Sequence, residues 1–159
     1  NWYWGLIGAA VALFIVIRNV LAQPSSPYNK GLALIRDIFW PGFMYGLIDA
    51  LLLSVLPILA VKEALVNAAW TGNWIGQIGL GAIALIASTI VTAAYHLGYP
   101  EFRNKKVLWT IFGNGVMSLA FLLTMNPLAA ILPHIAMHIT AIIHGPETTG
   151  QVPPHYNKA

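Results

Sequence analysis

Five long apolar runs dominate this chain, and they dictate its solvent before any other feature is considered. A membrane span needs roughly 20 mostly apolar residues to cross about 30 Å of hydrocarbon. Trp2 to Ala22, Trp40 to Val61, Ile75 to Leu97, Val107 to Met125 and Pro127 to His144 meet or approach that length. None alternates polar and apolar residues as a membrane β-strand does. The sequence therefore predicts an all-α, polytopic transmembrane bundle of about five spans in a single domain, with a tail from 145 to 159. The composition agrees: 58% of residues are hydrophobic and 8% charged, against about a quarter charged in soluble domains.

The first run lacks a basic leader and carries Arg18 and Asn19 near its C-terminal end. It reads as a span and not as a cleaved signal peptide. Only Asn126 separates the last two runs, which predicts a tight antiparallel hairpin. Between the first two, Gln23 to Pro27 reads as a turn, and Lys30 to Phe39 as an apolar segment lying on the membrane surface. Gly145-Pro146 ends the last helix, and an irregular extension follows.

The net charge of +3 is explained by where the charges fall. Arg18, Lys30, Arg36, Arg103, Lys105 and Lys106 belong to one side of the predicted topology, and Lys62, offset by Glu63, to the other. The positive-inside rule then puts the N-terminus outside and the C-terminus in the cytoplasm. Trp2, Trp4, Trp40, Trp70, Trp74 and Trp109 fall near span ends, as an interfacial aromatic belt requires. The expected surroundings are the bilayer together with partner membrane subunits or copies of the chain itself, and no nucleic acid. With no cysteine in the sequence, disulfide and thiolate chemistry is excluded.

Ionisable and amide side chains inside the spans are the informative residues, because each must find a partner or a purpose in hydrocarbon. At 1.5 Å per residue, Asp49 lies about 13 Å from the basic end of its helix, His138 and His134 about 9 and 15 Å, and Asn114 about 10 Å. His96 sits at the same end of the third span. Four helices thus place polar groups in one half of the membrane, which predicts a buried site of Asp49, His96, His134 and His138. His134 and His138, spaced i, i+4, share a helix face. Joined by Asp49 or His96 they make a two-histidine, one-carboxylate or a three-histidine set for a divalent metal such as zinc or iron. The structural alternative has these groups bonding across helices, with Asn114 as interhelical glue and Asp49 held by Asn114 or a histidine. His144 and His155 are expected to be solvated. Gly42/Gly46 and Gly72/Gly76 have the spacing of close helix packing, and Gly76, Gly79 and Gly81 leave room for a neighbouring helix or a flat ring.

The segments Gly42-Phe-Met-Tyr-Gly-Leu-Ile-Asp49, Ala94-Tyr-His-Leu97 and Leu132-Pro-His-Ile-Ala-Met-His138 resemble, faintly, the CPBP (CAAX protease and bacteriocin-processing) intramembrane protease family. Its pattern is a paired glutamate with an arginine, an aromatic-xxx-His, and His-xxx-Asn or Asp on successive helices. The resemblance covers about residues 42 to 144. It implies that His96 and His134 match the second and third motif histidines, that His138 stands where the family has Asn or Asp, and that the site activates water for peptide hydrolysis. The paired glutamate is missing: Lys62-Glu63 followed by Asn67 is a broken form, Asp49 or Glu63 would supply the carboxylate, and residue 92 is Thr in place of the aromatic. A different class of function also fits the histidines, a subunit of a larger membrane complex holding a tetrapyrrole, haem or chlorophyll-type. A transporter carrying protons or cations on Asp49 is a third reading.

Overall fold

The computed structural model describes residues 2–150, all helix and connecting turns, with no strand among them. The helices are α1 (Trp2–Leu21), α2 (Gly31–Leu65), α3 (Trp74–Leu97), α4 (Lys106–Thr124) and α5 (Leu128–His144). The first four are long and apolar enough to cross a membrane, and α5 is apolar over 17 residues. All six tryptophans are exposed; Trp2, Trp4 and Trp109 stand in the first turns of their helices, Trp70 and Trp74 flank the start of α3, and Trp40 lies ten residues into α2.

Contacts between connections establish which ends lie together. At one end His144 meets Gln23 and Gly150 approaches Phe102. At the other Gly5 faces Asn126, and Lys62 Nζ lies 3.3 Å from Met125 Sδ. The helices therefore alternate in direction, and the end carrying Arg18, Lys30, Arg36 and Arg103 to Lys106 is the basic end. Packing closes a ring: α1 on α5, α5 on the first half of α2, the second half of α2 on α3, α3 on α4, and α4 back on α1.

Small residues allow this closeness. A Cβ on Gly46 would sit 2.7 Å from Ile135 Cα, and one on Gly42 would sit 3.0 Å from Ile139 Cγ1, so the Gly42/Gly46 spacing is a true helix-packing face. Gly72/Gly76 is not. Gly76 lies against the Trp70 carbonyl in the turn before α3, and Gly72 and Gly81 have no neighbour within 4 Å. Gly79 faces the Trp70 ring, with a built Cβ 3.4 Å from Cζ3, so the glycine-thinned start of α3 packs on the turn that precedes it.

The segment expected to lie flat, Lys30 to Phe39, instead begins α2, a single helix of 35 residues. At 1.5 Å per residue it is about 52 Å long, well beyond the hydrocarbon thickness. It contains two π-helical stretches, Ile38–Met44 around Pro41 and Ala50–Val55. Proline removes an i→i−4 bond, and the wider turns absorb that loss without a break. The α4–α5 link turns on Met125, in the left-handed region at φ 53°, and the Asn126 side chain accepts from the Leu128 amide at 3.0 Å.

Ala12, Val55, Ile58, Ala84, Met117 and Phe121 form a fully buried apolar cluster. Toward the basic end α2 leaves α3 to lean on α5, and space opens inside the ring.

Candidate functional site: a cavity at the basic end

That space is a cavity of roughly 1220 Å³ reaching from the loops at the basic end down to Leu53 and Asn114. Val16 and Met117 belong both to its wall and to the apolar cluster beneath it, so the inner end is sealed by hydrocarbon.

All four residues expected at the site line this one cavity: Asp49 on α2, His96 on α3, and His134 and His138 on α5. The π-helical stretch begins immediately after Asp49, and widened turns of this kind recur at functional sites because they re-aim side chains. His138 Nε2 lies 3.4 Å from Asp49 Oδ2, across the α2–α5 contact that Gly42 and Gly46 bring close. Of the two partners expected to hold Asp49, the structure selects the histidine. Asp49 Oδ1, His134 Nδ1 and His138 Nδ1 are buried without a hydrogen-bond partner. Such atoms are costly where nothing satisfies them, and all three belong to residues that line the cavity.

His96 has its Nδ1 2.9 Å from the Thr92 carbonyl. A carbonyl only accepts, so Nδ1 carries the proton and Nε2 presents a lone pair. The ring is held edge-on by Tyr95 and Phe102, at centroid distances of 5.2 and 5.1 Å.

The three-donor metal set expected of His134 and His138 with His96 or Asp49 is not assembled. The His134 and His138 ring centroids are 6.4 Å apart, with the ring planes tilted by 30°. No three His, Cys, Asp or Glu side chains among the described residues form a group that would hold an ion. Glu63, the alternative carboxylate, is exposed at the opposite end of α2, so of the two carboxylates expected only Asp49 lines the cavity. The glycines expected to make room for a tetrapyrrole begin α3, and His96 ends it, about 22 Å away between Gly81 and His96 along the helix.

Asn114 is interhelical glue, as its depth suggested. It accepts from Ser54 Oγ at 2.7 Å and donates to Ser88 Oγ at 2.9 Å. Ser88 Oγ donates to the Leu53 carbonyl at 2.6 Å, and Ser118 joins Ser88 at 2.8 Å and Ser54 at 3.0 Å. Ser54, Ser88 and Ser118 are fully buried, and this knot ties α2, α3 and α4 at the cavity floor. The sequence reading missed the three serines. Their only signal was position, each being a small polar residue well inside a span. His144, expected to be solvated, places Nε2 2.8 Å from the Gln23 carbonyl; His155 lies outside the described residues.

No family model matches this chain, and no curated protein or solved structure matches it.

Proposed function

We propose that this membrane protein is an intramembrane hydrolase-like catalyst in which Asp49 and His138 act as a carboxylate–histidine dyad. The observation that carries the reading is the buried 3.4 Å approach of His138 Nε2 to Asp49 Oδ2 from a different helix, with His138 Nδ1 buried and unpartnered on a residue that lines the cavity. A carboxylate facing Nε2 favours the tautomer with the proton there and leaves the Nδ1 lone pair free. Catalytic hydrogen bonds are often long in unliganded sites and tighten around substrate.

In the proposed reaction His138 Nδ1 takes a proton from water while the water oxygen bonds to an acyl carbon. The bond to the leaving group then breaks, and the proton passes to that group, giving an acid and an alcohol or amine. Asp49 stabilises the intervening imidazolium, and His96, through Nε2, is a second proton acceptor or donor. The sealed inner end favours this reading over conduction, because a transporter needs a path past Val55, Ile58 and Phe121. On this reading the chain is a degenerate relative of the CPBP proteases, with Asp49 replacing the paired glutamate, and the basic end faces the cytoplasm.

The test is hydrolysis of a panel of fluorogenic peptides and acyl esters by the protein in proteoliposomes. Asp49→Asn and His138→Gln should lower the rate by about 10²-fold or more with an unchanged gel-filtration profile. Metal content and a visible spectrum of the same sample belong beside it. Full activity in both variants, or a tetrapyrrole band that His96→Ala removes, would overturn the reading.

A further inference from the structure

Three connections meet at the mouth of the cavity: residues 22–30, 98–105 and 145–150. The third is the least demanded by the bundle, since α5 has already ended at His144. Instead of running away from the protein it doubles back over the first. The Ser26 amide donates to the His144 carbonyl at 3.2 Å, and the Glu147 amide donates to Ser26 Oγ at 3.2 Å. Thr148 Oγ1 lies 2.5 Å from the Pro24 carbonyl and 3.1 Å from the Gly145 carbonyl.

Gly145 is placed for this return. A Cβ there would meet Thr148 Oγ1 at 2.5 Å, the Pro24 carbonyl at 3.0 Å and the Ser26 amide at 3.1 Å. At the far edge Gly150, at φ +76°, brings its Cα side against Phe102, 3.1 Å from a built Cβ to Cζ. Phe102 is the ring that packs on His96. Pro146 to Gly150 and Phe102 all line the cavity. The segment thus crosses the mouth from the α1–α2 connection to the residue that covers His96.

We propose that Gly145–Gly150 is a strap that gates access from the aqueous side to the Asp49–His138 cavity. It is held by a few hydrogen bonds, mostly to exposed loop groups, and by one aromatic contact. Segments anchored in this way open at far lower free energy than the packed helices beneath them. The inference rests on the reading of the cavity as a reaction site only for its purpose; the gating is a property of access and is measured as such.

The absence of native cysteine makes the measurement clean. A single cysteine replacing Met137, a half-buried wall residue of the cavity, is labelled by a charged, membrane-impermeant thiosulfonate in the full-length protein. Thr148→Val keeps the shape and removes both hydroxyl contacts, and labelling should accelerate about fivefold, the factor for losing one ordinary hydrogen bond. Thr148→Ser keeps the hydroxyl and should stay within about twofold of the parent. Gly145→Val, which pushes the strap off Pro24, should accelerate labelling at least as much as Thr148→Val.

A cysteine replacing Ala84 in the apolar cluster should remain unreactive throughout. Equal rates in parent, Thr148→Val and Gly145→Val, or labelling of the Ala84 position rising in parallel, would overturn the strap. The same acceleration in a His138→Gln background, where hydrolysis is already lost, separates the gate from the chemistry.

Discussion

His138 Nε2 and Asp49 Oδ2 stand 3.4 Å apart inside the bundle, and the other polar atom of each side chain has no partner at all. Removing one member strands the other in a low-dielectric wall, at a cost of about 1–3 kcal/mol or more if the remaining group is charged. Removing both spares that cost. Asp49→Ala and His138→Ala should each lower unfolding stability, and the double variant should be destabilised by less than their sum, with a coupling of about 1 kcal/mol or more. Unfolding in mixed micelles with rising denaturing detergent measures it. Strict additivity would mean that the two side chains do not act as a pair.

The contrast between two glycines is equally direct. Gly46→Ala drives a methyl to within 2.7 Å of the Ile135 Cα, where backbone must move, and should cost about 1–3 kcal/mol. Because that contact sets the α2–α5 distance, the same variant should disturb the Asp49–His138 pair. Gly81→Ala meets nothing within 4 Å and should be neutral or stabilise by up to about 1 kcal/mol through helix propensity. Thermal melts of the two single variants in one detergent decide the comparison.

The floor knot predicts an order of effects. Asn114 alone touches Ser54, Ser88, Ser118 and the Leu53 carbonyl, so Asn114→Ala leaves several buried groups short and should cost about 2 kcal/mol. Ser88→Ala loses the bond to the Leu53 carbonyl, which Asn114 Nδ2 covers only at 3.4 Å, and should cost about 1 kcal/mol. Ser118 has one proton for two serine neighbours, and Ser118→Ala should cost least. A reversed order in the same unfolding assay would refute the network as drawn.

How much of this was legible in advance follows from what each signal measures. The five apolar helices, the hairpin turning at Met125 and Asn126, and the convergence of Asp49, His96, His134 and His138 are one-dimensional facts, because hydropathy runs and depth along a helix need no neighbours. The metal set failed because depth says nothing of azimuth: four residues at one level share a cavity without pointing at one centre. Gly72/Gly76 failed because its spacing straddles a turn and a helix start, where no facing helix exists. Serine is nearly neutral in hydropathy, so Ser54, Ser88 and Ser118 left no trace until three helices brought them together. The strap was invisible for a related reason, since its anchors on Pro24 and Ser26 lie more than 120 residues away along the chain.

The arrangement of the bundle ends makes the last prediction. Arg18, Lys30, Arg36, Arg103, Lys105 and Lys106 gather at the end where the cavity opens, and Lys62 at the other. Basic residues near span ends are retained on the cytoplasmic side, so the mouth should open to the cytoplasm. In intact cells a cysteine replacing Ser25 should resist an impermeant maleimide until the membrane is permeabilised. A cysteine replacing Gly72, where nothing lies within 4 Å, should react at once. If the two positions exchange behaviour the chain is inverted, and the cavity with its strap would then receive its substrate from outside the cell; the proposed dyad chemistry would stand, but its supply would come from the opposite compartment.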